Sequence, residues 1–151
     1  MGQKVNPIGL RVGISKTWNS KWYAGKDYPE QLKQDLSIQK FVKKRLKHAA
    51  ISHIEVERTA KKTKVNIFTA RPGIIIGRKG DEVERLKHEL NKLTRHEVIV
   101  NIKEIKRPEI EATLVAENIA NQLERRIAYR RAIRRATVSY THLRAHETVV
   151  H

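Results

Sequence analysis

Gly73-Ile74-Ile75-Ile76-Gly77-Arg78-Lys79-Gly80 joins an apolar turn to a pair of glycines flanking two cations, and the fold is decided by how this stretch is read. Glycine tolerates positive φ and lets another backbone come close. A Gly-x-x-Gly loop ahead of a helix can therefore present main-chain amides to an anion, and Arg78 and Lys79 place positive charge at the same point. Two nucleotide-binding readings fail on spacing. A P-loop needs four residues between its glycines, then Lys and Ser or Thr, and a dinucleotide fingerprint needs Gly-x-Gly-x-x-Gly after a strand.

Downstream of the loop, Val83, Leu86, Leu90 and Leu93 mark a helix from Asp81, whose first turn carries Asp81, Glu82 and Glu84, the charge that a helix N-terminus prefers. After the polar link Thr94 to Glu97, a strand is expected over Val98 to Ile105. Upstream, Ile54 and Val56 alternate with Glu55 and Glu57. Beyond the turn Thr59-Ala60-Lys61-Lys62, Val65 and Ile67 alternate with Asn66 and Phe68, which predicts a hairpin. Before the hairpin, Ile38, Phe41, Val42, Leu46 and Ala49 keep helical spacing to about Ala50, with Ser37 as N-cap; Leu32 and Leu36 imply an earlier turn slightly out of phase, which leaves room for a bend around Asp35 to Ser37. Pro108 opens a long helix in which Ala112, Val115, Ala116, Ile119, Leu123 and Ile127 keep the period.

This order predicts an α+β fold and resembles a KH domain of the second type, a three-stranded sheet packed with helices, over residues 29–107. In KH domains the glycine loop clamps about four nucleotides of single strand, with bases over an apolar groove. The expected loop is Gly77, Arg78, Lys79 and Gly80, and the expected groove is Ile74, Ile75 and Ile76.

Composition points the same way. Thirty-two Lys and Arg against 16 Asp and Glu give a net charge of +16, which attracts polyanions. Aromatics are 5% of residues, so binding that depends on stacking bases over aromatic platforms would be poorly supplied, and a groove of aliphatic side chains and backbone is expected instead. No aliphatic run near the loop exceeds Ile74-Ile75-Ile76, far short of a membrane span. The start lacks the apolar core of a secretory signal, and the absence of cysteine suits a reducing cytoplasm.

Two further basic regions flank the domain. Residues 1–28 read as an extended basic arm with Lys4, Arg11 and Lys16 among its cations, the alternative being a frayed terminus. Arg125, Arg126, Arg130, Arg131, Arg134 and Arg135 crowd eleven residues without an acid, a repulsion that a bound polyanion would relieve. His142 and His146 have helical i,i+4 spacing, but nothing around them makes a metal or catalytic site, so neither a cofactor nor a small-molecule substrate is expected.

Residues 1 to about 136 resemble the N-terminal part of the bacterial-type small-subunit ribosomal protein S-three family. The match rests on Met1-Gly2-Gln3-Lys4-Val5-Asn6-Pro7-Ile8-Gly9-Leu10-Arg11, on Thr69 to Gly80, and on Gln122-Leu123-Glu124-Arg125-Arg126 leading to Tyr129-Arg130-Arg131-Ala132. The resemblance implies a cytoplasmic, non-enzymatic constituent of the small ribosomal subunit. Its arm and KH domain would touch ribosomal RNA in the subunit head beside neighbouring head proteins. The positions Arg130, Arg131 and Arg134 would face mRNA where it enters the subunit.

Residues 108–136 would then be a basic helix leading to a further domain, while residues 137–151 match nothing expected and read as a foreign tail on a truncated chain. That tail holds Arg144 and Glu147, so the first 136 residues carry the whole +16. The competing function is a free-standing KH-domain regulator or assembly factor, which would not track with small subunits on sedimentation.

Overall fold

The computed structural model describes residues 2–59, 62–94 and 96–147, with the side chains of Lys79 and of residues 144–147 outside the described set. Elements follow in the order α1 (Pro7–Arg11), β1 (Ser20–Lys21), α2 (Tyr28–Arg45), β2 (Ile51–Arg58), β3 (Lys62–Thr69), α3 (Pro72–Ile76), α4 (Asp81–Thr94), β4 (Glu97–Glu104), α5 (Ala112–Glu124) and α6 (Tyr129–Glu147). The strands form one sheet in the order β1-β2-β3-β4. β2 and β3 pair antiparallel, as a hairpin must. β3 and β4 pair parallel, which needs a crossover to return the chain to the starting end of the sheet. α3, the glycine loop and α4 are that crossover.

One face of the sheet makes the core. Ile54 and Val56 from β2, Val65 and Ile67 from β3 and Val98 from β4 point to this face, where Ile38 and Val42 of α2 and Leu86 and Leu90 of α4 cover them. Each of these side chains is 3% exposed or less. Burying an aliphatic side chain of this size contributes roughly 1.5–3 kcal/mol. Across the opposite face runs a polar ladder. Asn66 Nδ2 donates to Glu57 Oε1 at 2.9 Å, and Asn101 Nδ2 donates to Asn66 Oδ1 at 3.1 Å, tying three strands in register.

The arm is more structured than its composition predicts. Asn6 accepts from Ile8 N at 2.9 Å and caps α1, with Pro7 in the first turn. β1 then adds a fourth strand, parallel to β2, where three were expected. What holds this two-residue strand is a carboxylate. Asp35 is fully buried in α2. It accepts from Ser20 Oγ at 2.9 Å, from Trp22 Nε1 at 2.6 Å and from Arg58 Nε at 2.8 Å. The arm, α2 and β2 therefore share one charged hub, and the Arg58 guanidinium also donates to Gln34 Oε1 and the Gln31 carbonyl.

The same hub corrects the reading of α2. The helix is continuous, with no bend at Asp35 to Ser37, and the Ser37 hydroxyl donates back to the Lys33 carbonyl at 2.8 Å, an interior position rather than an N-cap. Asp35 holds the buried position that apolar periodicity assigned elsewhere, and Leu36 is exposed. The expected single helix from Pro108 is also two. Pro108 sits in a turn before α5, and the chain breaks at 125–128. Arg126 takes φ 60° while its N–H donates to Leu123 O and Ile127 N–H donates to Gln122 O, the Schellman arrangement that usually places glycine at this point.

Replacing Asp35 with Ala strands the Arg58 guanidinium and two arm donors, so we expect about 3–5 kcal/mol of destabilisation by urea unfolding. A loss below about 1 kcal/mol would show that the hub does not hold the arm to the domain.

Candidate nucleic-acid interface

The glycine loop sits where the core forces it. Ile75 is fully buried among the residues of α2, α4 and the sheet, which pins α3 against the protein; in the following turn Arg78 is exposed while Gly77 and Gly80 are half-buried. Gly77 has φ 68° and ψ −171°, a conformation essentially restricted to glycine. A Cβ at Gly77 would lie 2.8 Å from Glu82 Cγ. Gly80 has φ 87° with open space around it. Residues 78–80 make a single tight turn, and α4 starts at Asp81. Arg78 is exposed, and Lys79 is its neighbour in the turn, its side chain being outside the described set.

The three expected groove residues do not act together. Ile74 and Ile76 are 47% and 44% exposed, so they remain available at the surface. Ile75 belongs to the core and cannot line a groove, because adjacent residues of a one-turn helix point in different directions. α3 packs beside β4, which is an edge strand among the described residues.

Charge at the loop is mixed. Asp81, Glu82 and Glu84 occupy the first turn of α4 and already satisfy its positive end. A phosphate arriving there meets these carboxylates too, so the loop cations must supply the net attraction. The remaining expected contacts lie on other elements. Lys4, Arg11 and Lys16 of the arm are exposed, with the Arg11 guanidinium donating to the Pro7 carbonyl at 3.2 Å. Arg130, Arg131 and Arg134 are exposed on α6, and Arg130 lies 5.7 Å from the centre of the Tyr129 ring. None of the six arginines from Arg125 to Arg135 forms an ion pair with a described carboxylate.

No cluster of three metal-ligating side chains is present among the described residues, nor does any described helix have the length and apolarity to cross a membrane. His53 stacks on Phe68 at 4.1 Å, and burial pushes its imidazole below its ordinary pKa, so it is neutral at pH 7 and adds nothing to the positive surface.

The KH domain family matches residues 37–110. The chain is 63% identical over 139 residues to the small ribosomal subunit protein uS3 of Geobacter sp. (strain M21), and equally to that of Citrifermentans bemidjiense, covering 92% of this chain and 66% of each relative. The uS3 protein of Syntrophus aciditrophicus is 60% identical over the same length. The chain thus spans just under two thirds of the length of these relatives.

Alanine at Gly77 meets both the backbone restriction and the Glu82 side chain, whereas alanine at Gly80 meets only the former. We expect Gly77→Ala to cost about 1–3 kcal/mol and Gly80→Ala about 1 kcal/mol by urea unfolding. Equal costs would show that the close approach of Glu82 does not shape the turn.

Proposed function

The chain belongs to the small ribosomal subunit protein uS3 family and carries a KH domain, and on that premise we propose that it is an RNA-binding structural constituent of the small ribosomal subunit rather than an enzyme. The observation that carries the proposal is the Gly77–Gly80 turn, with Arg78 in solvent and Gly77 in a backbone conformation essentially restricted to glycine. Phosphate is drawn by Arg78 and Lys79, and the missing Cβ atoms let the sugar-phosphate backbone come within reach of the amides that begin α4. Ile74 and Ile76 offer aliphatic surface beside the loop for bases.

The partner at this site is ribosomal RNA. The arm cations Lys4, Arg11 and Lys16 extend the contact over residues 1–28, beside neighbouring head proteins. Arg130, Arg131 and Arg134 on α6 form a second basic surface, suited to the phosphates of mRNA where it enters the subunit. What supports that second role is the crowding of like charges on α6 with no ion pair to a described carboxylate, a cost that a polyanion removes. Cytoplasmic placement follows from assembly into the small subunit.

Binding to single-stranded RNA should be steeply salt-dependent. Neutralising about five phosphates gives a log–log slope of roughly −3.5, or about a hundredfold weaker binding between 50 and 200 mM salt. The double variant Arg78→Asp, Lys79→Asp adds repulsion beside Asp81 and Glu82, and fluorescence anisotropy should show affinity falling by more than tenfold with a shallower slope. Wild-type affinity in this variant would remove the loop from the interface.

A further inference from the structure

Three carboxylates open α4, and one of them is placed differently from the other two. Asp81 and Glu84 are exposed, whereas Glu82 is half-buried. The first carbons of its side chain occupy the space that a side chain at Gly77 would need. A Cβ there would lie 2.8 Å from Glu82 Cγ, 3.0 Å from Glu82 Cβ and 3.5 Å from the Glu82 backbone nitrogen. A Cβ at Gly80 would meet nothing within 4 Å. Gly77 is thus held from two directions, by its N–H donating to the Gly73 carbonyl at 3.0 Å and by the Glu82 methylenes.

The helix end alone does not explain a carboxylate in this place. An acid in the first turn complements the positive end of a helix, and Asp81 and Glu84 already supply that from exposed positions. Beside a site for phosphate, a third anion opposes binding by like-charge repulsion. Its charge is met by Arg85, whose Nη1 lies 3.9 Å from Glu82 Oε1, the two side chains being 69% and 45% exposed. So open a pair contributes little to stability. What it does is set a cation beside the one carboxylate that packs against the turn.

We propose that Glu82 is a positioning residue for the glycine turn: its methylene groups hold Gly77 in the conformation that admits a sugar-phosphate backbone, while Arg85 offsets the charge at the end of the same side chain. This rests on the reading above that the turn binds RNA, and adds to it a residue that acts through Gly77 rather than on a nucleotide. The sign of the effect separates this role from electrostatics. Removing an anion beside a phosphate strengthens binding. Removing a support weakens it, in proportion to the time the turn then spends out of the competent conformation; a turn that is competent about a fifth of the time binds about fivefold more weakly.

The test uses the full chain and a single-stranded RNA of roughly twelve nucleotides, with affinity read by fluorescence anisotropy. Glu82→Ala removes the carboxylate and most of the methylene support while keeping a strong helix former in α4. It should bind RNA about fivefold more weakly although the chain gains net positive charge. Glu82→Gln keeps the methylenes and loses the charge, and should bind at least as tightly as wild type. Glu82→Asp keeps the charge and loses one methylene, and should weaken binding, so the Gln and Asp variants carry the test even where the alanine variant does not fold. Arg85→Gln leaves the carboxylate without its cation and should weaken binding, which Glu82→Gln should restore in the double variant. Glu82→Ala at or above wild-type affinity, or Glu82→Gln as weak as Glu82→Ala, would overturn the positioning role, and if Arg78→Asp with Lys79→Asp still loses binding the loop itself stands. Wild-type affinity in that loop variant would instead remove the turn from the interface, and the positioning role with it.

Discussion

β3 and β4 run parallel, and the placement of the candidate site depends on that pairing. A parallel neighbour cannot be reached by a tight turn, so the chain must leave the end of β3, cover the sheet and come back. α3 and α4 make the return, and Ile75, Leu86 and Leu90 fasten them to the core. The corner between the two helices cannot be buried in the same step, because the apolar positions on either side of it already face inward. Within the turn at 77–80 Arg78 is left exposed, and glycine is needed at 77 because the backbone takes φ 68° beside the Glu82 side chain.

A second constraint makes the arm part of the domain. Asp35 is a fully buried carboxylate that receives hydrogen bonds from β1, from the residue following it and from β2. A buried charge is costly unless its partners are complete. Here completing them requires residues 20 and 22 to lie along α2 and β2. In a chain of net charge +16, where like charges oppose compaction, one satisfied anion in the interior fixes the path of a segment that carries few apolar anchors. The basic surfaces then fall on separate elements, the loop, the arm and α6.

Much of this was legible in the sequence, and the exceptions have physical causes. The hairpin, α4 and β4 follow from alternation and helical period. β1 is two residues long and stabilised by side-chain hydrogen bonds, so no periodicity could announce it. Leu36 misled the reading of α2 because an exposed leucine and a buried aspartate exchange their usual places. The break between α5 and α6 was hidden because Arg126, not glycine, takes the positive φ. Ile75 was grouped with its neighbours as a groove residue, yet three consecutive isoleucines on a helical turn cannot share one face.

We propose that the Gly77–Gly80 turn receives a sugar-phosphate backbone. Backbone amide chemical shifts of the full chain, followed while single-stranded RNA is added, test it most directly. The account predicts that the first and largest shifts fall on Arg78 to Glu82, where the turn meets the start of α4. Saturable binding that leaves these amides unmoved, with shifts confined to other elements, would contradict it.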